Sequence, residues 1–448
     1  MLKSAKKLAR RIGIDGAVAY TISSRIIQAG GGFISIVFIS RFLSPNEQGY
    51  YYTFASILAI QVFFELGLSG IITQYTAHEF AYLKWTPDFN LSGEDYYQSR
   101  LSSLLRFCVK WFAIIAVILF FVLLAAGFYF FSNYNKGLYV EWQSPWIILC
   151  LSTALNLFID PLLAFFDGLG EVKDMSKVRF IQRLVNILLI FVLFALGFKL
   201  YSSAIASLVA ICINYVQIFF SNRIKLLKII WQAKGNFVID YIKEIFPFQW
   251  RIALSWISGY FIFQLFNPVL FATEGAVVAG QMGMTLAVLN GVSSLSMTWI
   301  NTKVPLFSTL IAKHDYNNLD IIFNRIVKQT CSSCALFLVI LVAFVQILKH
   351  NHFFIGNRFL PIFPLLLLSV ATFFNQYIYA IATYLRCHKQ EPFLMQSITM
   401  GLLIAFSTIL LGKHFGVNGI TIGYTTLGLL IGLPWSVWIF INKKRVWH

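Results

Sequence analysis

Residues 111–131 read WFAIIAVILFFVLLAAGFYFF, an apolar run without a single charged residue. Wound as an α-helix at 1.5 Å per residue, about 20 such residues span roughly 30 Å, the thickness of a bilayer's hydrocarbon core. Comparable runs recur along the 448 residues, with predicted starts near Gly16, Gly49, Phe107, Ser144, Val178, Tyr201, Pro247, Gly275, Val327, Pro361, Phe393 and Gly416. The chain is 58% hydrophobic and 12% charged, against roughly 45–50% and 25% in soluble domains. This composition excludes an ordinary soluble enzyme. It predicts an all-α integral membrane protein of about 12 transmembrane helices.

The charge distribution sets the expected orientation. Net charge is +17, and placing the N-terminus in the cytoplasm puts 25 Lys and Arg in inside segments and 6 in outside ones. Both termini are therefore expected in the cytoplasm, and the surplus needs no nucleic-acid partner. The expected divisions are a basic interfacial helix at 1–13, a six-helix lobe at 14–222, a cytoplasmic linker at 223–246, a second six-helix lobe at 247–442 and a tail at 443–448. A weak internal correspondence, with Arg25 falling on Arg251, predicts parallel repeats related by a pseudo-two-fold axis along the membrane normal, with a cavity between the lobes.

The N-terminal MLKSAKKLARRIG has no short apolar core ahead of a cleavage site, so it is expected to be retained. The six cysteines lie in or beside apolar runs without metal-ligand spacing, and the Cys331/Cys334 pair is expected to be packing rather than redox chemistry. Aromatic clusters such as Tyr50-Tyr51-Tyr52 and Trp142 with Trp146 read as an interfacial belt ahead of carbohydrate stacking. No phosphate-binding GxxxxGK[ST] loop and no hydrolytic constellation is present, so neither ATP-driven transport nor enzymatic chemistry has a candidate.

Ionisable residues inside spans are costly, which makes each one a functional candidate. Thr21, Ser24, Arg25, Gln28, Gly31 and Ser35 form a polar stripe on the first span. Gln61, Glu65 and Ser69 do so on the second, and Thr153, Asn156, Asp160 and Asp167 on the fourth. Pro161 removes a helix bond beside Asp160 and is expected to kink that span, exposing carbonyls that with the carboxylate suit Na⁺ or H⁺. Arg25 and Glu65 either pair structurally or act separately. Arg183 and Arg251 either snorkel to headgroups or bind substrate. Asn290, Ser294, Thr298 and Asn301 meet either sugar hydroxyls or neighbouring helices, and Asn267 is expected in a helix-end or interhelical hydrogen bond.

The segments Arg41-Phe-Leu-Ser-Pro-Asn-Glu-Gln-Gly49, Phe64-Glu-Leu-Gly-Leu-Ser69, Val304-Pro-Leu-Phe-Ser308 and Tyr384-Leu-Arg-Cys-His-Lys389 resemble those of Wzx-type polysaccharide flippases. These are relatives of the MATE exporters within the MOP superfamily. The resemblance implies 12 helices in two six-helix lobes around a V-shaped cationic cavity. It also implies translocation of undecaprenyl-pyrophosphate-linked oligosaccharide, an O-antigen or capsule repeat unit, to the outer leaflet of a bacterial inner membrane. Expected substrate-binding residues are Arg25, Gln28, Arg183, Arg251 and Asn290. Glu65 and Asp160 are the expected ion-coupling residues, because Asn267 stands where the family often has an acid. Partners would be the lipid-linked oligosaccharide, the membrane and other polysaccharide-assembly proteins, with no cofactor beyond a coupling H⁺ or Na⁺. The competing readings are a MATE-like exporter of small organic cations, which would need an acidic cavity, and a membrane polymerase or ligase, which would need a large outside loop.

Overall fold

The computed structural model describes residues 31–447 apart from 33, 87–90, 136–138, 233–236 and 389. Among these, ten helices are long and apolar enough to cross a membrane: α1 (Pro45–Phe80), α2 (Asp95–Tyr134), α3 (Gln143–Gly168), α4 (Val172–Ala195), α5 (Tyr201–Phe219), α6 (Gln249–Thr273), α7 (Ala276–Ala312), α8 (Tyr316–His350), α9 (Ile362–Arg386) and α10 (Leu394–Trp447). The last holds two spans, because Gly416 at φ 55 and ψ −139 leaves the helical region. The predicted first span begins among residues outside the described set, and residues 34–42 are helical. The chain is a multi-pass, predominantly helical membrane protein.

Several helices begin where the apolar runs do, as at Gln143, Tyr201, Ala276 and Ile362. Others start about three turns earlier. Asp95–Arg106 extends α2, and there Leu101, Leu104 and Leu105 are buried although the segment is too polar to read as a span. An apolar run marks the hydrocarbon layer, not the end of the helix. Between α1 and α2 a short antiparallel hairpin pairs β1 (Leu83–Trp85) with β2 (Leu91–Gly93).

The described residues form two compact units, with boundaries inside α1, at the end of α2 and inside α6. The first takes Leu58–Ser132 and Glu141–Trp256. Within it α3 packs against the Leu68–Phe80 part of α1 and against α5, and α5 packs against α4. At one end Arg100 bonds both Glu79 (3.0 Å) and Glu244 (2.6 Å), and Tyr75 donates to the Glu244 carbonyl. The Arg100 hydrogen bonds hold the Glu244 carboxyl below its usual range.

The second unit takes Gly32–Ile57, Asn133–Val140 and Ile257–His448. Its α7 packs on α8 and α9 around Ile300, Phe323, Ile381 and Tyr384. Gly280 of α7 meets the backbone of Gly49, so the start of α1 approaches closer than side chains would allow. Arg358, only 3% exposed, donates to the carbonyls of Ser40 (3.0 Å) and Leu43 (2.6 Å) and to Gln48 Oε1. An arginine at the end of the Phe354–Arg358 3₁₀ turn thereby satisfies carbonyls at the end of the 34–42 helix. Asn267 donates to Ser56 Oγ at 3.1 Å, an interhelical hydrogen bond.

The aromatic clusters do not all form a belt. In the first unit Trp146 and Phe131 are fully buried, ring against ring, and Gly127 stands where any side chain would collide with the Trp146 indole. In the second unit Tyr50 is buried and donates to Asn135 Oδ1 at 2.6 Å. Hydrogen-bonded burial wins over an interfacial position because the ring gains packing while its hydroxyl keeps a partner. All six cysteines are free, including Cys331 and Cys334.

At Gly416 the backbone turns so that the Val417 N–H donates to Glu274 Oε1 at 2.7 Å. A carboxylate from the end of α6 thus caps the N-terminus of the last span. A Cβ on Gly416 would fall on that carboxylate, and the positive φ adds strain. Gly416→Ala is expected to cost more than about 2 kcal/mol and to lower the thermal midpoint of the detergent-solubilised protein by several degrees. Gly428→Ala, where a Cβ meets open space, should leave that midpoint unchanged.

Candidate functional site

A cavity of about 660 Å³ lies within the first unit, walled by α1, α3, α4 and α5. From α1 come Gln61, Glu65 and Ser69, spaced four apart so that a continuous helix would align them. The helix is not continuous. Residues Ala59–Gln61 form a 3₁₀ turn, and after Glu65 both Leu66 (φ 50) and Gly67 (φ 70) are left-handed. Glycine adopts that conformation freely, whereas leucine is strained in it. The Ser69 hydroxyl spans the break and donates to Glu65 Oε1 at 3.0 Å. A Cβ on Gly67 would approach Ile252 to 2.5 Å, so a small residue is required there on steric grounds as well.

From α3 come Ser152, Thr153, Asn156 and Asp160. Asn156 Nδ2 donates to Asp160 Oδ2 at 2.6 Å, and Gln182 Nε2 of α4 donates to Asn156 Oδ1 at 3.2 Å. The chain Gln182–Asn156–Asp160 leaves the other Asp160 oxygen available toward the cavity's contents. The helix continues through Pro161, whose missing N–H removes the usual partner of the Leu157 carbonyl. Thr73 donates to the Ala164 carbonyl and Tyr215 to the Leu155 carbonyl, tying α1 and α5 to α3.

From α4 come Arg179, Gln182, Arg183 and Asn186, at steps of three and four residues. Arg179 pairs with Asp167 at 2.7 Å. Asn186 Nδ2 contacts Ser207 Oγ of α5 at 3.4 Å. Two carboxylates and two guanidiniums therefore open onto one space among amide and hydroxyl groups. Such a site can hold a hard cation on its oxygens or an anion on its arginine forks. Among the described residues no group of three or more His, Cys, Asp or Glu is arranged to hold a metal ion.

The structure brings Glu65, Asp160 and Arg183 of the sequence expectations together on this cavity. Arg251 is exposed, with its guanidinium 5.5 Å from the Trp250 ring centre, and is not among the lining residues. Asn290 is an exposed residue of α7 in the second unit, as are Ser294 and Thr298 of the same stripe. Arg25 and Gln28 lie outside the described residues. Sequence reasoning passed over Arg179, Gln182 and Asn186. Arg179 counts there with the cytoplasmic cations, although with Arg183 it continues the helical stripe that the same spacing rule finds on other spans.

No protein-family model matches the chain, and no curated protein matches it in sequence. Solved structures do match in fold, over nearly the full length. An inward-facing multidrug resistance MATE family transporter of the MOP superfamily superposes with a TM-score of 0.69 at 13% identity, covering 94% of this chain and 95% of that one. Lipid II flippase MurJ, in an inward closed conformation, gives 0.59 at 14% identity over 96% and 87%. The MATE multidrug transporter DinF-BH gives 0.59 at 13% identity over 96% of both chains. The chain has the fold of MOP superfamily transporters.

The Arg179–Asp167 pair is partly water-exposed, with side chains 34% and 15% accessible. Arg179→Ala should therefore destabilise by about 1–2 kcal/mol, less than a fully buried pair. Arg179→Ala combined with Asp167→Asn should recover most of that loss, since no uncompensated carboxylate remains. Thermal midpoints of the two single variants and the double variant measure the coupling.

Proposed function

We propose that the chain is a flippase that carries undecaprenyl-pyrophosphate-linked oligosaccharide from the cytoplasmic to the outer leaflet by alternating access, coupled to H⁺ or Na⁺. The observation that carries this reading is the convergence of Glu65, Asp160, Arg179 and Arg183 on one cavity walled by membrane-spanning helices. A pyrophosphate cannot enter hydrocarbon unpaired, and a guanidinium fork meets phosphate oxygens bidentately. Arg183, and Arg179 beside its partner Asp167, supply such groups on the cavity wall. The amides of Gln182 and Asn186 and the hydroxyls of Thr153 and Ser207 suit sugar hydroxyls. Glu65 and Asp160 offer oxygen ligands or proton sites for a coupling ion. A fold shared with a lipid II flippase supports a lipid-linked cargo.

On this reading the protein sits in a bacterial inner membrane with both termini cytoplasmic and serves polysaccharide assembly, and it is not an enzyme. The second reading, export of small organic cations, draws on the same two carboxylates and on the shared fold of multidrug MATE transporters. Charge separates the two. An anionic cargo depends on Arg183, a cationic one on Glu65 and Asp160 directly.

Proteoliposomes loaded with a lipid-linked oligosaccharide test this. Wild type should translocate it faster under an imposed H⁺ or Na⁺ gradient. Arg183→Ala should lower the rate about 10- to 100-fold, the worth of one charge-assisted hydrogen bond. Asp160→Asn should abolish the response to the gradient while slower gradient-independent exchange persists. Uptake of a cationic dye, with no movement of the glycan lipid, would favour the exporter instead.

A further inference from the structure

The segment between α5 and α6 carries a ten-residue helix, Arg223–Gln232, with the sequence RIKLLKIIWQ. Its inner face is fixed. Leu227 and Ile230 are buried, and the Trp231 carbonyl accepts from Arg106 Nη2 at 2.6 Å and from Ser102 Oγ at 3.3 Å. Arg223 turns inward to Glu171 (2.9 Å) and Asp174 (3.4 Å), so these two acids are answered within the protein. The outward face presents Lys225 and Lys228, three residues apart, flanked by the half-exposed Ile224 and by Trp231 at 37% exposure. Lys173 and Lys177, on the helix whose first turn Arg223 reaches, are exposed as well.

Position decides what covers this face. α5 ends at Phe219, and Phe220 is 86% exposed, as expected of a side chain leaving a span into the membrane interface. Only Phe220, Ser221 and Asn222 separate that point from Arg223, so the helix starts within about 13 Å of the hydrocarbon edge. Beyond it Val238, Ile242 and Phe246 are also exposed apolar residues, with Lys243 beside them. Lysines flanked by aromatic and aliphatic side chains at that depth match a phospholipid surface of negative charge. We propose that the Arg223–Gln232 helix, with Lys225, Lys228, Lys173 and Lys177, is a docking surface for the headgroups of anionic phospholipid. It holds the connection between α5 and α6 against the membrane.

Full-length protein in nanodiscs of phosphatidylcholine, with or without phosphatidylglycerol, tests the proposal by hydrogen exchange of the 223–232 segment. Exchange should slow at least about fivefold when phosphatidylglycerol is present, the worth of about one lysine at an anionic surface. The slowing should vanish in K225Q/K228Q and persist in K225R/K228R. Because both lysines are exposed, exchange of the buried α3 core should be the same in all variants, which separates lost docking from misfolding. Equal exchange of the segment in the two lipid mixtures would overturn the proposal. So would equal slowing by inorganic phosphate in phosphatidylcholine alone, which would show a small-anion site instead.

Discussion

The constraint on which this structure depends is the cost of an ionised or strongly polar side chain inside a membrane-spanning helix. Such a group must find a partner or a wet space, because hydrocarbon supplies neither. Glu65, Asp160, Arg179 and Arg183 come from three different helices, yet all open onto one cavity, where Ser69 donates to Glu65 and Asn156, itself held by Gln182, donates to Asp160. Outside the spans, buried or half-buried arginines are satisfied by direct pairing. Arg100 takes two carboxylates, Arg223 takes two more, and the buried Arg358 takes two backbone carbonyls.

The helices are interrupted at places where this accounting matters. α1 breaks at Leu66–Gly67, one residue past a cavity carboxylate, and α10 breaks at Gly416, where the freed N–H of Val417 meets Glu274. Each break frees backbone groups that a continuous helix would have paired, and in each case a side-chain carboxylate lies alongside. Strain held at Leu66 is compatible with a local rearrangement when the contents of the cavity change. The unit boundaries inside α1 and α6 place residues of a single helix in different packing environments.

Much of the fold was legible because hydrophobic runs report directly on a bilayer's thickness. The starts at Ser144, Tyr201 and Phe393 lie within a residue of the helices found, and Gly416 divides α10 where the pattern placed a new span. The polar extensions of α2 and α8 were not legible, because their stability comes from packing rather than from apolar length. In the site, the stripes on the second and fourth spans could be read from period alone. Arg179 was obscured by its place near the end of a span, where a cation is ordinarily a topology signal. The left-handed Leu66 carries no composition signal, and the burial of Arg358 depends on a contact more than 300 residues away in the chain.

The central claim is that the cavity of the first unit is a wet, substrate-holding space within the membrane. Cysteine labelling measures this most directly, in a background with the six native cysteines replaced. Gln182→Cys lines the cavity, whereas Leu188→Cys on the same helix is 54% exposed and is not among the lining residues. In vesicles open to reagent from both sides, a membrane-impermeant maleimide should label Gln182→Cys readily and Leu188→Cys hardly at all, and added lipid-linked oligosaccharide should protect the former. Labelling of Gln182→Cys no faster than of Leu188→Cys, or undiminished by the glycan lipid, would contradict the account.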